Sequence, residues 1–364
     1  MTAAPRVLFS GGGTAGHLYP ALAVSRRLKE LLPGLKVTFV GSSRKLEKTL
    51  MEFHKVKFIS LKIEGLKGRG WKALRGLALL PFAFVKSLII LIRTRPHLSI
   101  GMGGYSSGPI VLLSSLLGIP SLVMEQNALP GFTNRLLRRW VKKAVVSYPG
   151  TLKYFGGKGI LIGNPVREEF TRIPQKVRED RLTVLVFGGS QGSHFLNKNV
   201  LLSLAEMKNY RDRLRFLHQT GEKDLDWVSQ RYREEGFNAT AEAFIYDMAS
   251  SVAGADLVVS RAGATTVAEL VAAGKASLLV PFAQASDDHQ TMNARELEAV
   301  GGAVVLAEKD FTPQKFAAKI IGFINQKDLL DRMEKNLAQL KKPDVTDRIV
   351  NLCFDLMGVK KRSA

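Results

Sequence analysis

The sequence predicts an α/β protein made of two doubly wound domains. Apolar runs of strand length alternate with glycine turns and helix-period segments along the 364 residues, a pattern typical of parallel sheets covered by helices. Residues 7–10 form such a run and lead into a glycine loop at 11–16, and residues 182–187 lead into another at 188–193. Because both halves open with the same strand-to-loop unit, we predict two similar domains.

The boundary between these domains falls at Gly163-Asn164-Pro165-Val166-Arg167, since the charged, proline-containing stretch from Arg167 to Arg181 is typical of a linker. We therefore predict a first domain over residues 1–163 and a second over 164–342. The tail, 343–364, is amphipathic and is predicted to pack back on the first domain. In the second domain, strands after the first are predicted at 214–217, 243–245, 255–260, 275–282 and 303–306.

Composition excludes several classes of protein. A hydrophobic content of 46% excludes a disordered chain, and a single cysteine, Cys353, excludes a disulfide framework. The sequence has no uninterrupted apolar run of membrane-spanning length and no segment with the pattern of a secretion signal. These observations predict an intracellular protein in a reducing compartment.

Positive charge is concentrated in the first half of the chain. Residues 1–163 hold 25 Lys and Arg against 5 Glu and no Asp, whereas the remainder holds 28 basic and 27 acidic residues. This asymmetry predicts an anionic partner for the first domain, either a nucleic acid or a membrane surface.

The choice between these partners depends on residues 66–95, where basic side chains stand beside aromatic and aliphatic ones. Its basic residues include Lys67, Arg69, Lys72 and Arg75. A nucleic-acid site would present its aromatic residues on a flat stacking platform, but here they cluster with Leu and Ile. The pattern favours the headgroup boundary of an anionic leaflet. A buried helix flanked by solvated charges would explain 86–95 but not 67–85.

The stretch 255–293 has the strongest pattern of a ligand site. It predicts two parallel strands, each followed by a helix, and a right-handed crossover brings both helix starts to the carboxyl ends of the strands. The first helix would begin at 263–266 and carry Glu269 close to its positive end. The second would begin at 286–288 and place Gln290 in its first turn.

Together these helix starts predict a nucleotide-sugar site. Amides would bind a phosphate, the Glu269 carboxylate a diol, and the Gln290 side chain a polar ring. In the alternative interpretation Glu269 is a solvated helix residue and 288–290 are ordinary first-turn residues.

The first glycine loop, 11–16, precedes a helix predicted at 19–32. Its spacing differs from G-x-G-x-x-G and no acid closes the next strand, which disfavours a nicotinamide dehydrogenase. His17, beside this loop, can accept a proton near neutral pH and is a candidate catalytic base. A helix-capping or core-edge histidine is the alternative.

Metal binding has little support in the sequence. Asp224-Leu225-Asp226 resembles a D-x-D motif but falls in an acidic and basic helical stretch. No residues have zinc-ligand spacing, and no nucleophile elbow or P-loop motif occurs. We therefore predict no metal and no other cofactor.

Six short motifs follow one another along nearly the whole chain. They are Gly11-Gly12-Gly13-Thr14-Ala15-Gly16-His17, Gly101-Met102-Gly103-Gly104-Tyr105, Glu125-Gln126-Asn127, Gly163-Asn164-Pro165-Val166-Arg167, Gly188-Gly189-Ser190-Gln191-Gly192 and Arg261-Ala262-Gly263-Ala264. Each motif alone is unspecific, but in this order and spacing they resemble the MurG family, the bacterial undecaprenyldiphospho-muramoylpentapeptide β-N-acetylglucosaminyltransferases. The resemblance implies a GT-B fold of two Rossmann-like domains with the donor and acceptor crevice between them.

The resemblance also implies a reaction and its partners. N-acetylglucosamine would pass from UDP-GlcNAc to the C4 hydroxyl of lipid I, with inversion, giving lipid II for peptidoglycan synthesis. The implied partners are UDP-GlcNAc, lipid I and the anionic cytoplasmic leaflet, with no nucleic acid, and the enzyme would be peripheral to the cytoplasmic face of the bacterial membrane. Other cell-wall synthesis proteins stay open as partners.

Site residues follow from the family's pattern, with His17 as the candidate base. The implied UDP-GlcNAc contacts are Thr14, Ala15, Gly16, Asn127, Arg167, Ser190, Ile245, Ala264, Thr265, Thr266, Val267, Ala268, Glu269 and Gln290. The acceptor-side candidates are Gly103, Gly104, Tyr105 and Glu125. Two positions depart from the pattern: Met124, where the family often has His, and His289, where it commonly has Gln.

Two rival classes are left open by the motifs. One is another GT-B enzyme, such as a UDP-GlcNAc epimerase or a different UDP-sugar transferase, and the basic and aromatic segment at 66–95 argues against an epimerase. The other is a basic nucleic-acid-binding protein. Binding to anionic liposomes and to RNA at one salt concentration would separate the second from a membrane enzyme.

Overall fold

The chain divides into two compact units. The computed structural model describes residues 4–12, 15–42, 45–61, 63, 71–174 and 176–359. The first unit runs to Val166 and resumes at Lys342, and the second spans Arg167–Lys341. The predicted boundary at 163/164 lies slightly earlier, because Asn164 is buried in the first unit whereas Arg167 pairs with Glu269 of the second.

The first unit is built on a parallel sheet. Its strands are β1 (Arg6–Ser10), β2 (Lys36–Gly41), β3 (Lys57–Ser60), β4 (Leu98–Gly101), β5 (Ser121–Glu125), β6 (Lys143–Val146) and β7 (Gly159–Leu161). In the part of the chain that is described they lie in the order β3-β2-β1-β4-β5-β6-β7 and all pair in parallel. This is the doubly wound arrangement, in which the order reverses beside the first strand.

The second unit repeats the plan. Its strands are β8 (Leu182–Phe187), β9 (Leu214–Gln219), β10 (Asn238–Glu242), β11 (Leu257–Ser260), β12 (Ser277–Leu279) and β13 (Ala303–Val305). Within the described residues the order is β10-β9-β8-β11-β12-β13, again all parallel. The prediction of two similar doubly wound domains is confirmed.

Helices connect the strands of each sheet. They are α1 (Ala15–Leu31), α2 (Lys45–Phe53), α3 (Trp71–Thr94), α4 (Ser107–Leu116), α5 (Phe132–Leu137), α6 (Leu152–Phe155), α7 (Glu168–Thr171), α8 (His194–Leu202), α9 (Leu225–Glu234), α10 (Met248–Gly254), α11 (Ala264–Ala273), α12 (His289–Ala299), α13 (Pro313–Asn325), α14 (Lys327–Leu337) and α15 (Val345–Met357).

Both sheets are covered on two faces, which explains why their central strands are continuous apolar runs. In β8, Val184 and Val186 point to one core while Leu185 and Phe187 point to the other. In β1, Phe9 lies in one core and Leu8 in another. The alternation of side chains along a strand thus gives each sheet a core on each face.

The last helix, α15, belongs to the first unit. It packs on α1, where Arg27 Nε donates to Asp347 Oδ1 at 2.6 Å, and its buried face carries Ile349, Cys353 and Phe354. Burial raises the pKa of the Cys353 thiol to about 12. The cysteine is therefore an apolar core residue, with almost no reactive thiolate at neutral pH.

Three sequence predictions are wrong in detail. The helix predicted at 19–32 begins at Ala15, so the last two residues of the predicted glycine loop belong to it and Pro20 lies inside it. Residues 243–245 are not a strand. The strand is β10, which ends just before them at Glu242; it lies at the edge of the sheet, alternates between exposed and half-buried positions and has no apolar run that would predict it.

The third correction concerns the predicted linker, because residues 167–174 and 176–181 belong to the second unit and form ion pairs with it. Lys176 Nζ lies 2.8 Å from Asp256 Oδ2. Arg178 lies 2.7 Å from Asp331 and 3.1 Å from Glu334. The charged side chains that predicted a solvated linker instead form an ion-pair network with the second unit.

An exposed apolar stripe lies along α3, on the first unit. Phe82, Val85, Ile89 and Ile92 follow one another at helical spacing and are all exposed. The interpretation of 86–95 as a buried helix is therefore wrong for this face. Among the described helices none is long and apolar enough to cross a membrane.

Part of the predicted basic segment cannot be placed on this surface. Lys67 and Arg69 lie outside the described residues, and for Lys72 and Arg75 the structure describes only the helical backbone.

Candidate active site

The predicted site residues gather at the carboxyl edges of the two sheets. In each sheet the strand order reverses beside the first strand, and two loops leave the sheet in opposite directions there. In the first unit these loops follow β1 and β4, and in the second they follow β8 and β11. Such switch points are where open α/β sheets bind ligands.

In the first unit, the two glycine loops interlock. Gly104 has a φ of +76°, and a Cβ there would lie 2.7 Å from the Gly12 carbonyl oxygen. A Cβ on Gly11 would lie 2.8 Å from the Gly103 carbonyl oxygen. Each loop therefore needs glycine where it touches the other loop, since any larger residue there would push the two loops apart.

His17 lies in the first turn of α1, beside both loops. Its Nδ1 is 3.2 Å from the carbonyl oxygen of Gly12. A carbonyl can only accept, so Nδ1 carries the hydrogen and Nε2 of the neutral ring carries the lone pair. Nε2 is the atom on the side of Gly103, 3.3 Å from where a Cβ on that glycine would stand. This is the tautomer that a base acting through Nε2 requires.

Glu125, at the end of β5, organises the loop that follows it. Its Oε1 accepts from the backbone and side-chain amides of Asn127 at 3.0 and 3.2 Å. Its Oε2 accepts from Gly131 N at 3.0 Å and from Asn134 Nδ2 at 2.9 Å. With four such bonds to its own chain, this buried carboxylate positions Asn127 and Asn134.

The remaining predicted residues of the first unit lie close by. Tyr105 is half-buried in the turn between β4 and α4, next to Gly103 and Gly104. Ala15 and Gly16 begin α1, while Thr14 lies outside the described residues.

In the second unit, the glycine loop 188–193 ends as the cap of a helix. Ser193 Oγ accepts from Leu196 N at the start of α8. A Cβ on Gly192, whose φ is +74°, would lie 2.0 Å from the Thr220 carbonyl oxygen, so the loop rests directly on the turn after β9. Ser190, in the middle of the loop, is exposed.

Arg261, at the end of β11, ties three segments together. Its Nη2 lies 3.0 Å from Ser193 Oγ and 2.6 Å from Glu308 Oε1, and its Nη1 donates to the carbonyl of Val280 at 3.1 Å. Burial lowers the pKa of Arg261, and Glu308 opposes that shift. The buried guanidinium therefore fixes the end of the glycine loop.

Glu269 lies on α11, whose bounds agree with the prediction. The helix is capped by Gly263 and ends at Gly274 in the left-handed conformation. Glu269 is buried, and its Oε1 lies 2.9 Å from Nε of Arg167. Burial raises the pKa of Glu269, and the ion pair with Arg167 acts in the opposite direction. The interpretation of Glu269 as a solvated helix residue is therefore wrong.

The other α11 residues in the predicted donor set line its first two turns. They are Ala264, Thr265, Thr266, Val267 and Ala268. Thr265 and Val267 are buried. Backbone N–H groups at the start of a helix favour anions, so this end of α11 is suited to a phosphate.

Gln290 lies in the first turn of α12, as predicted. Its Oε1 accepts from the backbone amides of Ala262 at 3.2 Å and Phe282 at 3.0 Å. Because the oxygen is engaged twice, the side chain offers a ligand its NH2 group. Ile245 is buried, just beyond β10, with its amide held by Gln219 at 3.0 Å.

The D-x-D motif has a local role. Asp224 Oδ2 lies 3.0 Å from His194 Nδ1 and 2.8 Å from Asn197 Nδ2. Burial acts to raise the pKa of Asp224, but hydrogen bonds from Trp227, Asn197 and His194 lower it. Across the part of the chain that is described, no three His, Cys, Asp or Glu side chains are grouped as a metal site would need.

Sequence reasoning missed several residues of this arrangement. Arg261 stands in the sequence only as part of a motif, while Asn134, Glu308 and Gln219 carry no signal of their own. An arginine that directly follows a buried strand is unusual enough to have drawn attention, but its partners are distant in sequence.

Comparison with known proteins identifies the family. Models of glycosyltransferase family 28 match both units, the N-terminal domain at residues 7–146 and the C-terminal domain at 183–349. A UDP-N-acetylglucosamine–N-acetylmuramyl-(pentapeptide) pyrophosphoryl-undecaprenol N-acetylglucosamine transferase of Myxococcus xanthus is 40% identical, covering 97% of this chain and 93% of the relative. The crystal structure of MurG from Acinetobacter baumannii is similar with a TM-score of 0.78 at 29% identity, covering 96% of this chain and 98% of that one. The chain belongs to the MurG family of glycosyltransferases.

The fold is therefore GT-B, as the resemblance implied. Proteins outside this family also share the fold. The crystal structure of a putative UDP-N-acetylglucosamine 2-epimerase from Listeria monocytogenes has a TM-score of 0.68 at 9% identity, covering 100% of this chain and 99% of that one. Sequence similarity along both units separates the MurG-family chain from such neighbours.

One departure from the MurG-family pattern has a structural explanation. Met124, where the family often has His, is buried in the core of the first unit together with Phe9 and Ile100. Its side chain fills apolar space in this core. His289 is half-buried at the start of α12, next to Gln290.

Proposed function

We propose that this chain transfers N-acetylglucosamine from UDP-GlcNAc to the C4 hydroxyl of the muramoyl sugar of lipid I, undecaprenyl-pyrophosphoryl-MurNAc-pentapeptide. The transfer inverts the anomeric centre and gives lipid II for peptidoglycan synthesis. The observation that carries the proposal is 40% identity along 97% of the chain to a relative named for this transfer.

The second unit binds the donor in this proposal. The amides at the start of α11 and those of the glycine loop 188–193 receive the diphosphate, since both are oriented N–H groups at the carboxyl edge of one sheet. Glu269 accepts from the ribose hydroxyls, and the Gln290 NH2 group donates to the sugar. The Ile245 segment meets the uracil.

The first unit supplies the base. His17 Nε2 takes the proton of the acceptor hydroxyl while its oxygen attacks the anomeric carbon and the bond to the UDP oxygen breaks. The Gly12 carbonyl holds the Nδ1 hydrogen and stabilises the imidazolium that forms. Asn134, which is held by Glu125, has its side-chain amide beside Gly103, as His17 has its Nε2. Asn127, also held by Glu125, offers a second amide group to the sugars.

No metal ion takes part in this proposal. Negative charge that develops on the departing UDP is stabilised by preorganised amides and helix starts. Arg261 contributes through Ser193, because it fixes the end of the glycine loop that presents those amides.

The first unit also docks on the anionic cytoplasmic leaflet, which makes the enzyme peripheral. The apolar stripe of α3 is flanked by exposed Lys86 and Arg93. On neighbouring α4, on α5 and in the turn after α5, the exposed apolar residues Leu116, Leu136 and Trp140 continue this type of surface. Apolar side chains inserted among headgroups, with cations around them, are the composition that interfacial binding requires.

Turnover of labelled UDP-GlcNAc tests the reaction. We expect transfer to a lipid I analogue that is unchanged by EDTA, with β-linked disaccharide as the product. Release of a 2-epimer from UDP-GlcNAc without any acceptor would identify an epimerase instead. Loss of transfer in EDTA that is restored by a divalent ion would overturn the metal-independent step but not the transfer itself.

A further inference from the structure

Gln219, the last residue of β9, is buried and connects two segments of the second unit. Its Nε2 donates to the Gly189 carbonyl at 2.7 Å, and its Oε1 accepts from the Ile245 amide at 3.0 Å. Gly189 belongs to the glycine loop and Ile245 to the segment after β10. One side chain therefore spans the gap between both segments.

The position of Gln219 is itself fixed by close backbone contacts. β9 lies beside β8, so its carboxyl end emerges next to the glycine loop. A Cβ on Gly221 would lie 2.3 Å from the Gln191 carbonyl oxygen, and Asn197 Nδ2 donates to the Thr220 carbonyl at 2.8 Å. The turn at 219–221 is thus a rigid base for the loop.

The chemistry at this position requires a primary amide. Gly189 presents an acceptor and Ile245 a donor, and an amide side chain offers an NH2 and a carbonyl from one planar group. Glutamate can accept from Ile245 but, when ionised, cannot donate to Gly189. Methionine has a similar length and replaces neither hydrogen bond.

We propose that Gln219 is a positioning residue for donor binding, which sets the distance between the loop that receives the diphosphate and the segment that meets the uracil. The inference rests on the proposed function, because it assigns these two segments to the two ends of UDP. The proposal has a specific consequence. Gln219 should affect the affinity of ligands that contact both segments at once, and it should have little effect on the affinity of ligands that contact only one.

Binding and kinetics of Gln219→Met test this coupling. We expect KM for UDP-GlcNAc and Kd for UDP to rise about tenfold, while kcat and the weaker affinity for uridine change less than twofold. Gln230→Met is the matched control, since Gln230 lies on α9 of the same unit and bonds only to neighbouring Glu234 in an exposed contact. That variant should behave like the parent.

Gln219→Glu is the second variant, and it keeps the shape of the side chain if the methionine variant fails to fold. It should weaken UDP binding and leave uridine binding unchanged, because the contact with Ile245 is retained. Unchanged UDP affinity in either folded variant would overturn the proposal, and so would equal losses for UDP and uridine, which indicate collapse of the uracil segment. A parent protein that does not bind UDP-GlcNAc at all would instead refute the proposed function.

Discussion

One carbonyl group sets the tautomer of His17. The Gly12 oxygen accepts the Nδ1 hydrogen, which leaves Nε2 as the basic atom beside Gly103. The arrangement resembles the general logic of catalytic histidines, whose second nitrogen is oriented by a fixed acceptor.

Replacing His17 with Ala should therefore reduce kcat and little else. A general base typically contributes roughly 10²–10⁴-fold to rate, so we expect a fall in that range with donor affinity within twofold of the parent. Steady-state kinetics and calorimetry with UDP-GlcNAc provide the measurements. His54→Ala, in the turn after α2 of the same unit, is the control. A His17 variant that kept most of its kcat would make this histidine structural.

Glu269 predicts a pH dependence of donor binding. Burial raises the pKa of this carboxyl, with Arg167 opposing, and only the ionised form accepts from both ribose hydroxyls. Affinity for UDP-GlcNAc should therefore be complete above that raised pKa and fall as pH drops through it, at a pH above the ordinary value for glutamate. Calorimetry across a pH series measures this.

Two variants separate the charge of Glu269 from its shape. Glu269→Gln should abolish the pH dependence, and Glu269→Ala should weaken binding by about 1–3 kcal/mol. Exposed Glu298→Gln on α12 serves as the control. Donor affinity that is independent of both substitutions would refute the ribose assignment.

At the scale of elements, strand-to-loop-to-helix units could be predicted because their signals are local. The apolar run of β8, the glycines after it and the cap of α8 all lie within about twenty residues of sequence, and α11 was bounded correctly by Gly263 and Gly274. The edge strand β10 was missed because an edge is only half-buried and carries no apolar run.

Contacts between distant segments could not be predicted. Gly104 requires the backbone of Gly12, Arg261 requires Glu308, and Glu269 pairs with Arg167, which had been assigned to a linker. Sequence periodicity indicates which face of a helix or strand is buried, but it does not indicate which distant residue packs against that face.

A buried histidine joins β9 to the helices α8 and α9. His218 Nε2 lies 3.0 Å from Asn197 Oδ1, an acceptor, and Nδ1 lies 3.0 Å from the Tyr232 hydroxyl. Nε2 therefore carries the hydrogen and Nδ1 accepts from Tyr232. Burial lowers the pKa of His218 to about 3, so the ring is neutral in the folded protein.

This histidine should make the second unit sensitive to acid. The unfolded chain binds a proton at His218 near pH 6.5, and the folded chain does not. The free energy of unfolding is therefore unaffected by this group above pH 6.5 and decreases as the pH falls from there toward 3. The slope from this one group is about 1.4 kcal/mol per pH unit. Urea unfolding of the parent and of His218→Gln between pH 6 and 4.5 measures the difference in slope. Equal slopes would show that His218 titrates normally.

At the scale of the whole molecule, charge and exposed apolar area fall on the same unit. Residues 1–163 hold nearly all of the net charge of +21, and the exposed stripe of α3 lies within them. The second unit is close to neutral. In the proposed function a polyprenyl acceptor stays in the bilayer while its sugar reacts, and this distribution favours the first unit as the one that would face the membrane.

Reversing Lys86 and Arg93 to Glu should therefore strongly weaken docking while leaving the chemistry intact. Each cation near an anionic leaflet contributes about 1 kcal/mol, so loss of two should weaken binding to anionic vesicles roughly thirtyfold, and repulsion should weaken it further. Sedimentation with phosphatidylglycerol vesicles measures binding, and turnover with a short-chain, water-soluble acceptor measures chemistry. Lys309→Glu with Lys315→Glu, exposed on the second unit, makes the same charge change and should leave vesicle binding unchanged.

The salt dependence separates the two contributions to docking. High salt screens the cations but not the insertion of Phe82 and Ile89, so the parent should retain residual binding in salt that a Phe82→Ser and Ile89→Ser variant loses. If the charge-reversal variant sedimented like its parent, or lost activity on the soluble acceptor to the same extent as on vesicles, α3 would not be the docking surface. Strong binding of the parent to RNA at the same salt concentration would favour a nucleic acid as the anionic partner of the first unit.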